Sequence, residues 1–173
     1  MHSIALWPTV AAVSIATLWD IRCRRIPNWL VLPFGSTGLI VSGVMGHWHG
    51  LQQSLIGILL GAVLMGVLYW LGGMGMGDVK LCAAVGAWIG PSQLGLALVV
   101  MAIAGGIMAF LWAACGGFLL ESLDGVGDLV FGMRKRGFRP HETLVLTNQK
   151  TRKLPYAPAI AIGVLFSFLA VAK

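Results

Sequence analysis

Apolar residues fill this chain in long blocks separated by short polar stretches. Six blocks read as helices, roughly Ser3–Trp19, Asn28–Gly46, Leu51–Leu71, Val79–Ile89, Gln93–Leu120 and Pro155–Ala172. Apolar runs of about 17–25 residues can cross a bilayer core about 30 Å thick. The fourth block is short, and Pro91 soon after it marks a break; a short helix is tolerated where neighbours bury it or the bilayer thins. The fifth is long enough to need tilt or an interfacial extension. A polar stretch of 34 residues, Glu121–Leu154, separates the last two blocks. The expected fold class is therefore all-α: a polytopic integral membrane protein with six transmembrane helices. It forms a single membrane domain over 1–173, with a loop at about 121–154.

Composition supports that reading. Hydrophobic residues make up 58% of the chain and charged residues 10%, where soluble domains carry about a quarter charged. No room remains for a separate soluble domain. The apolar stretch Ile4–Leu18 lacks a basic region before it, and the nearest arginines follow it. A cleavable secretion signal has the reverse order, so this stretch reads as a retained first helix. Cys23, Cys82 and Cys115 lie far apart with no CxxC pairing, so neither a metal site nor a disulfide framework is indicated.

The net charge of +6 first brings nucleic acid or anionic lipid to mind, but its distribution points to membrane orientation. Six crossings put Asp20–Pro27, the Gly72–Gly77 connection with the start of helix four, and the Glu121–Leu154 loop on one side. That side holds 11 of the 12 Lys and Arg residues, leaving only Lys173 on the other. The positive-inside rule makes it cytoplasmic and both termini external, in an inner (cytoplasmic) membrane. The expected partner surface is the lipid bilayer and not nucleic acid.

Two of the six acids, Asp20 and Asp78, touch the apolar blocks; the other four lie in the polar loop. Two crossings separate Asp20 from Asp78, so both fall at the cytoplasmic boundary. Ionisable groups there are expensive and mark a functional site by default. Small residues at the start of helix four, Gly73, Gly75, Gly77, Ala83, Ala84 and Gly86, would let helices one and four approach. The glycines of Gly72-Gly73-Met74-Gly75-Met76-Gly77-Asp78 also admit a substrate backbone without Cβ interference. A phosphate loop is the rival, but the GxGxxG register fails and no strand precedes a helix. Plain helix packing would explain the glycines and leave the Asp unexplained. Two carboxylates within about 3–5 Å of each other hold one proton between them. The ionised member then draws a proton from water, which attacks a carbonyl, while the protonated member donates to the oxyanion or leaving amine. No metal and no cofactor is needed for that chemistry.

Four further features carry readings of their own. Lys80 either tunes the pair, meets an acidic substrate residue, or anchors the boundary by snorkelling. Pro155 and Tyr156 open the last helix, as helix-start residues or as a substrate-docking edge beside the acids. Glu121, Asp124 and Asp128 share a helical face that is solvated or contacts a basic peptide. His47, Trp48 and His49 read as an interfacial belt across the membrane from the acids.

Gly75-Met76-Gly77-Asp78-Val79-Lys80 resembles the GxGD signature of membrane aspartic proteases. With Asp20 and Ile26-Pro27-Asn28, and with Leu154-Pro155-Tyr156-Ala157-Pro158-Ala159-Ile160-Ala161, the chain is similar to type IV prepilin peptidases. Its small size resembles the short branch serving tight-adherence (Flp-type) pili and the archaeal preflagellin peptidases. The resemblance implies removal of basic leader peptides from prepilin-like membrane proteins at the cytoplasmic face, by a single peptidase domain with Asp20 and Asp78 as catalytic residues. Gly75, Gly77, Lys80, Pro155 and Tyr156 are then the substrate-binding or site-shaping candidates. Larger members of the family carry CxxC pairs between helices one and two and N-methylate the product. Here that connection is only Ile21–Pro27, so methyltransferase activity is not expected. Two other classes stay open: a small proton- or ion-coupled transporter, and a non-catalytic subunit of a pilus or secretion apparatus.

Overall fold

A computed structural model describes residues 2–71, 74–116 and 156–171. The expected loop at 121–154, its acids Glu121, Asp124 and Asp128, the glycines Gly72 and Gly73, and Pro155 lie outside the described residues. Four helical elements follow one another: α1 (His2–Cys23), α2 (Asn28–Trp70), α3 (Met76–Gly116) and α4 (Ala157–Val171). No strand occurs among the described residues.

Neither α2 nor α3 is one rod. At about 1.5 Å rise per residue, 43 residues would extend about 65 Å, twice a bilayer core. α2 breaks at His47 (φ 51°, ψ −142°) and α3 at Gly90 (φ 73°, ψ 176°). The first break reverses the chain, because Ser42 and Ser54 both donate to the carbonyl of Ala87, at 3.2 and 2.8 Å. Twelve residues apart on a straight helix, those hydroxyls would stand about 18 Å apart. The second break falls on the residue type that tolerates positive φ, just before a proline that offers no N–H. Two arms of α2 (28–46 and 48–70) and two arms of α3 (76–89 and 91–116) result. His47–Gly50, expected as a loop, is instead a break of one residue between helical arms. The break at His47 holds a non-glycine residue at positive φ, which costs about 1–3 kcal/mol unless its surroundings compensate.

Side-chain contacts give each arm its direction. Lys80 donates to the side chain of Asn28 at 3.1 Å, and Trp88 donates to the carbonyl of Phe34 at 2.8 Å, so the first arms of α2 and α3 run parallel. Gly57 lies against Gly86, and Gly61 against the carbonyl of Cys82, so the second arm of α2 runs back along α3. Gly163 abuts the Ala97 carbonyl, and Gly105 the ring of Tyr156, which lays α4 antiparallel to the second arm of α3. One end of the bundle thus gathers the end of α1 and the starts of α2, α3 and α4. The other gathers the two breaks, the start of α1 and the end of α4.

The first arm of α3 is the hub. Leu81, Cys82, Ala84, Val85, Ala87 and Ile89 along it are all buried. It is the short fourth block of the sequence, and its neighbours do cover it. Phe34 stacks on Trp88 with ring centres 5.5 Å apart. The outward faces carry large exposed apolar residues such as Leu59, Val63, Val99, Ile103 and Leu169, and α1, α2 and α3 are each long and apolar enough to cross a membrane. Hydroxyls within the helices turn back to their own backbone, as Thr9 does to the Ala5 carbonyl and Thr37 to Pro33. That is how such groups are satisfied where water is scarce.

Candidate active site

Asp20 sits in the last turn of α1, which ends by a left-handed cap. Arg24 takes φ 51°, and its N–H donates to the Asp20 carbonyl at 2.7 Å. This is the αL termination usually made by glycine, here made by an arginine. The Asp20 side chain turns inward and is 7% exposed. Its Oδ2 accepts the N–H of Ala157 at 3.3 Å, and the Tyr156 N–H also lies against the carboxylate. An anion at a helix N-terminus meets free N–H groups and the positive end of the helix dipole. One turn earlier, Thr17 donates to the carbonyl of Val13 at 2.8 Å and lies 3.3 Å from the carbonyl of Ala157. Asp20 therefore holds the first residue of α4 by its N–H, and the Thr17 hydroxyl, sharing its one proton between two carbonyls, adds a weaker contact at its C=O.

Asp78 lies in the first turn of α3 and is 9% exposed. Its own N–H donates to the Gly75 carbonyl at 3.1 Å, while its carboxylate lies against the Gly75 N–H. The carboxylate thus makes the acidic half of a capping box, while the other half is replaced by a backbone bond, because glycine has no side chain to return it. A Cβ on Gly75 would stand 3.3 Å from Asp78 Oδ2, so glycine leaves the carboxylate room. A Cβ on Gly77 would come within 3.1 Å of the Ile26 side chain. Gly77 thus lets the connection between α1 and α2 close down on the start of α3.

The two carboxylates are close enough for their charges to act on one another. Both are buried, and both belong to the end of the bundle that carries Arg22, Arg24, Arg25 and Lys80. Arg24 supplies the positive charge felt at Asp20. Lys80 is turned to Asn28 and not to the pair. Tyr156 rests its ring against Gly105, where a Cβ would approach to 2.8 Å, and its phenol feels the charge of Asp78. Among the sequence candidates, Asp20, Asp78, Gly75, Gly77 and Tyr156 thus surround one spot, with Lys80 at its edge. His49 lies at the opposite end of the bundle.

Three participants carry weaker sequence signals. Thr17 precedes Asp20 by three residues and so shares its face. Gly105 belongs to a Gly-Gly pair within an apolar run. Arg24 looks like one more boundary cation until its backbone is seen. Among the described residues no three His, Cys, Asp or Glu side chains gather as a metal site.

An all-helical bundle of apolar rods with a buried carboxylate pair at its basic end defines a membrane protein with the groundwork for acid–base chemistry. The chain belongs to the type IV leader peptidase family, whose sequence profile matches residues 7–120 and so includes both aspartates. It is similar to the prepilin leader peptidase/N-methyltransferase of Pectobacterium carotovorum subsp. carotovorum, 28% identical over 142 residues covering 76% of this chain and 49% of that protein. The proteins of the same name from Aeromonas hydrophila and Pseudomonas putida are 32% and 31% identical over 115 residues each. Those alignments cover 59% and 62% of this chain, and 39% and 40% of the relatives. The chain spans less than half the length of these relatives. No solved structure matches it.

Proposed function

We propose that this chain is an aspartic endopeptidase of the inner membrane. It removes the basic leader peptide of prepilin-like, Flp-type membrane proteins at the cytoplasmic face. The observation that supports the reading is the burial of Asp20 and Asp78 at one end of the bundle, near enough for the charge of one to act on the other, from segments far apart in sequence. Family membership supports the peptidase assignment, and the names of the relatives supply prepilins as the substrate class.

In the mechanism, the pair holds one proton. The ionised carboxylate removes a proton from water as the water oxygen attacks the scissile carbonyl carbon. The protonated carboxylate gives its proton to the carbonyl oxygen, so a neutral tetrahedral diol forms. Collapse breaks the C–N bond, the amine takes a proton from the pair, and the new acid and amine leave. The two carboxylates titrate as a unit, so neither is assigned one part. Gly75 leaves room for the Asp78 carboxylate, Gly77 lets Ile26 close over the start of α3, and Tyr156 borders the substrate's path.

Each of the six rods crosses the bilayer in this reading. Both termini are external, and the 121–154 loop is cytoplasmic, part of a single peptidase domain over 1–173. The relatives are named for two activities; the second, N-methylation, is not proposed here, because the connection Ile21–Pro27 is too short to hold the CxxC pairs of larger family members. The test is direct. Purified protein incubated with a prepilin should yield a product whose N-terminal sequence begins just after the basic leader. Intact substrate after prolonged incubation with folded protein would reject the assignment.

A further inference from the structure

At the end of the bundle remote from the aspartates, beside the breaks at His47 and Gly90, lies a partly open cavity of about 500 Å³. The first arm of α3 separates it from Asp78 by about 18 Å, the length of 12 helical residues. Its polar wall includes His49, Gln53, Ser92 and Gln93, and its apolar wall includes Leu96 and Val171.

Gln93 is the informative residue. It is 5% exposed, yet its Nε2 has no hydrogen-bond partner among the described residues. A buried donor left unsatisfied costs about 1–3 kcal/mol, a cost that an apolar residue of similar size would not carry. Gln93 also opens the second arm of α3, just past Pro91, where first-turn N–H groups lack intrahelical partners and the helix dipole is positive. The neighbouring hydroxyls of Ser42 and Ser54 are already spent on the Ala87 carbonyl. Among the described residues, no Asp, Glu, Lys or Arg lines the cavity. The wall therefore offers side-chain amide donors from Gln53 and Gln93, the latter buried and unpaired among the described residues, which suit the acceptor oxygens of a phosphodiester.

We infer that this cavity binds the phosphodiester of a phospholipid headgroup, with Gln93 as its buried donor. The cavity lies at the level of the helix ends, where a bilayer about 30 Å thick in its apolar core places its headgroups. Leu96 and Val171 continue the wall as apolar surface for the first part of an acyl chain.

Thermal unfolding of the full chain in delipidated detergent tests this with phosphatidylglycerol, with diacylglycerol of the same chains, and with inorganic phosphate. Only the phospholipid should raise Tm saturably. Gln93→Leu should raise Tm without lipid, by removing the unpaired amide, and should weaken the phospholipid response about tenfold. Ser92→Trp changes an exposed rim position and should remove the response by filling the mouth, with helical circular dichroism unchanged in both variants. Three results would overturn the inference: no phospholipid shift in the wild type, an equal shift from diacylglycerol or phosphate, or a phospholipid shift that survives Ser92→Trp.

Discussion

The N–H of Ala157 donates to the Asp20 carboxylate at 3.3 Å, across 137 positions of sequence. The last helix is thereby moored to the end of the first, and the Thr17 hydroxyl, whose proton is shared with the Val13 carbonyl, adds a weaker contact at the Ala157 carbonyl. Residue 157 is also buried completely, so the mooring has no solvent to compete with it.

Thr17 is therefore expected to position the site without touching substrate. Thr17→Val keeps the shape and removes the hydroxyl, so kcat for leader cleavage should fall about tenfold with KM nearly unchanged, the pattern of a small misplacement of reacting groups. Thr17→Ser should restore most of the rate. An unchanged kcat in Thr17→Val would show that the mooring rests on Asp20 alone.

Asp20→Asn and Asp78→Asn should each lower cleavage on the order of a thousandfold or more, while membrane insertion and abundance stay near normal. Because the two act as one unit, the double variant should lose little beyond either single one. Near-normal processing of a prepilin by either folded variant would remove the mechanism.

Much of this arrangement was legible in the sequence, for physical reasons that particular residues make plain. Long apolar blocks can satisfy their backbone in lipid only as helices, so the rods and the reversals near His47 and Pro91 could be read directly. The shared end of Asp20 and Asp78 followed from the chain's crossing parity. What could not be read was which faces meet. The blocks are apolar nearly all round, so hydrophobic patterning does not distinguish a lipid-facing side from a buried one. Contact is decided by small residues such as Gly57 and Gly86, whose pairing depends on register between helices. The Arg24 cap and the Ala157 mooring were hidden for the same reason, since both are made by backbone atoms.

Gly86 gives the register a direct check. A Cβ there would overlap the Gly57 backbone and come within 2.9 Å of Leu94. Gly86→Val should therefore force α2 and α3 apart and destabilise the bundle by about 1–3 kcal/mol, or more where the backbone cannot yield. Gly66→Ala, at a position with nothing within 4 Å, should leave Tm in detergent unchanged or slightly higher. Equal Tm values for Gly86→Val and wild type would mean the two arms do not touch there.

Orientation has its own test. Single cysteines at Arg25 and at His49, placed in a variant with the three native cysteines replaced, sit at opposite ends of the bundle. The proposed topology expects a membrane-impermeant maleimide to label position 49 in intact cells and position 25 only after the inner membrane is opened. The reverse pattern would put the aspartates at the outer boundary, away from a leader held in the cytoplasm.

Protease and transporter readings separate on what the reaction requires. Two carboxylates and water suffice for hydrolysis, so cleavage should proceed in detergent without metal, nucleotide or ion gradient. The rate should fall at acidic pH, where both carboxylates bind protons and no base remains. It should fall again at alkaline pH, where the shared proton is lost and no acid remains. The same bell should appear in kcat with substrates whose own charges differ, which distinguishes titration of the pair from titration of the leader. Tyr156 lies beside Asp78, so Tyr156→Phe tests whether the alkaline limb belongs to the phenol; the limb should persist in that variant. Hydrolysis that stops with EDTA, or that requires a proton gradient across sealed vesicles, would exclude the two-carboxylate mechanism and favour a metal centre or a coupled carrier.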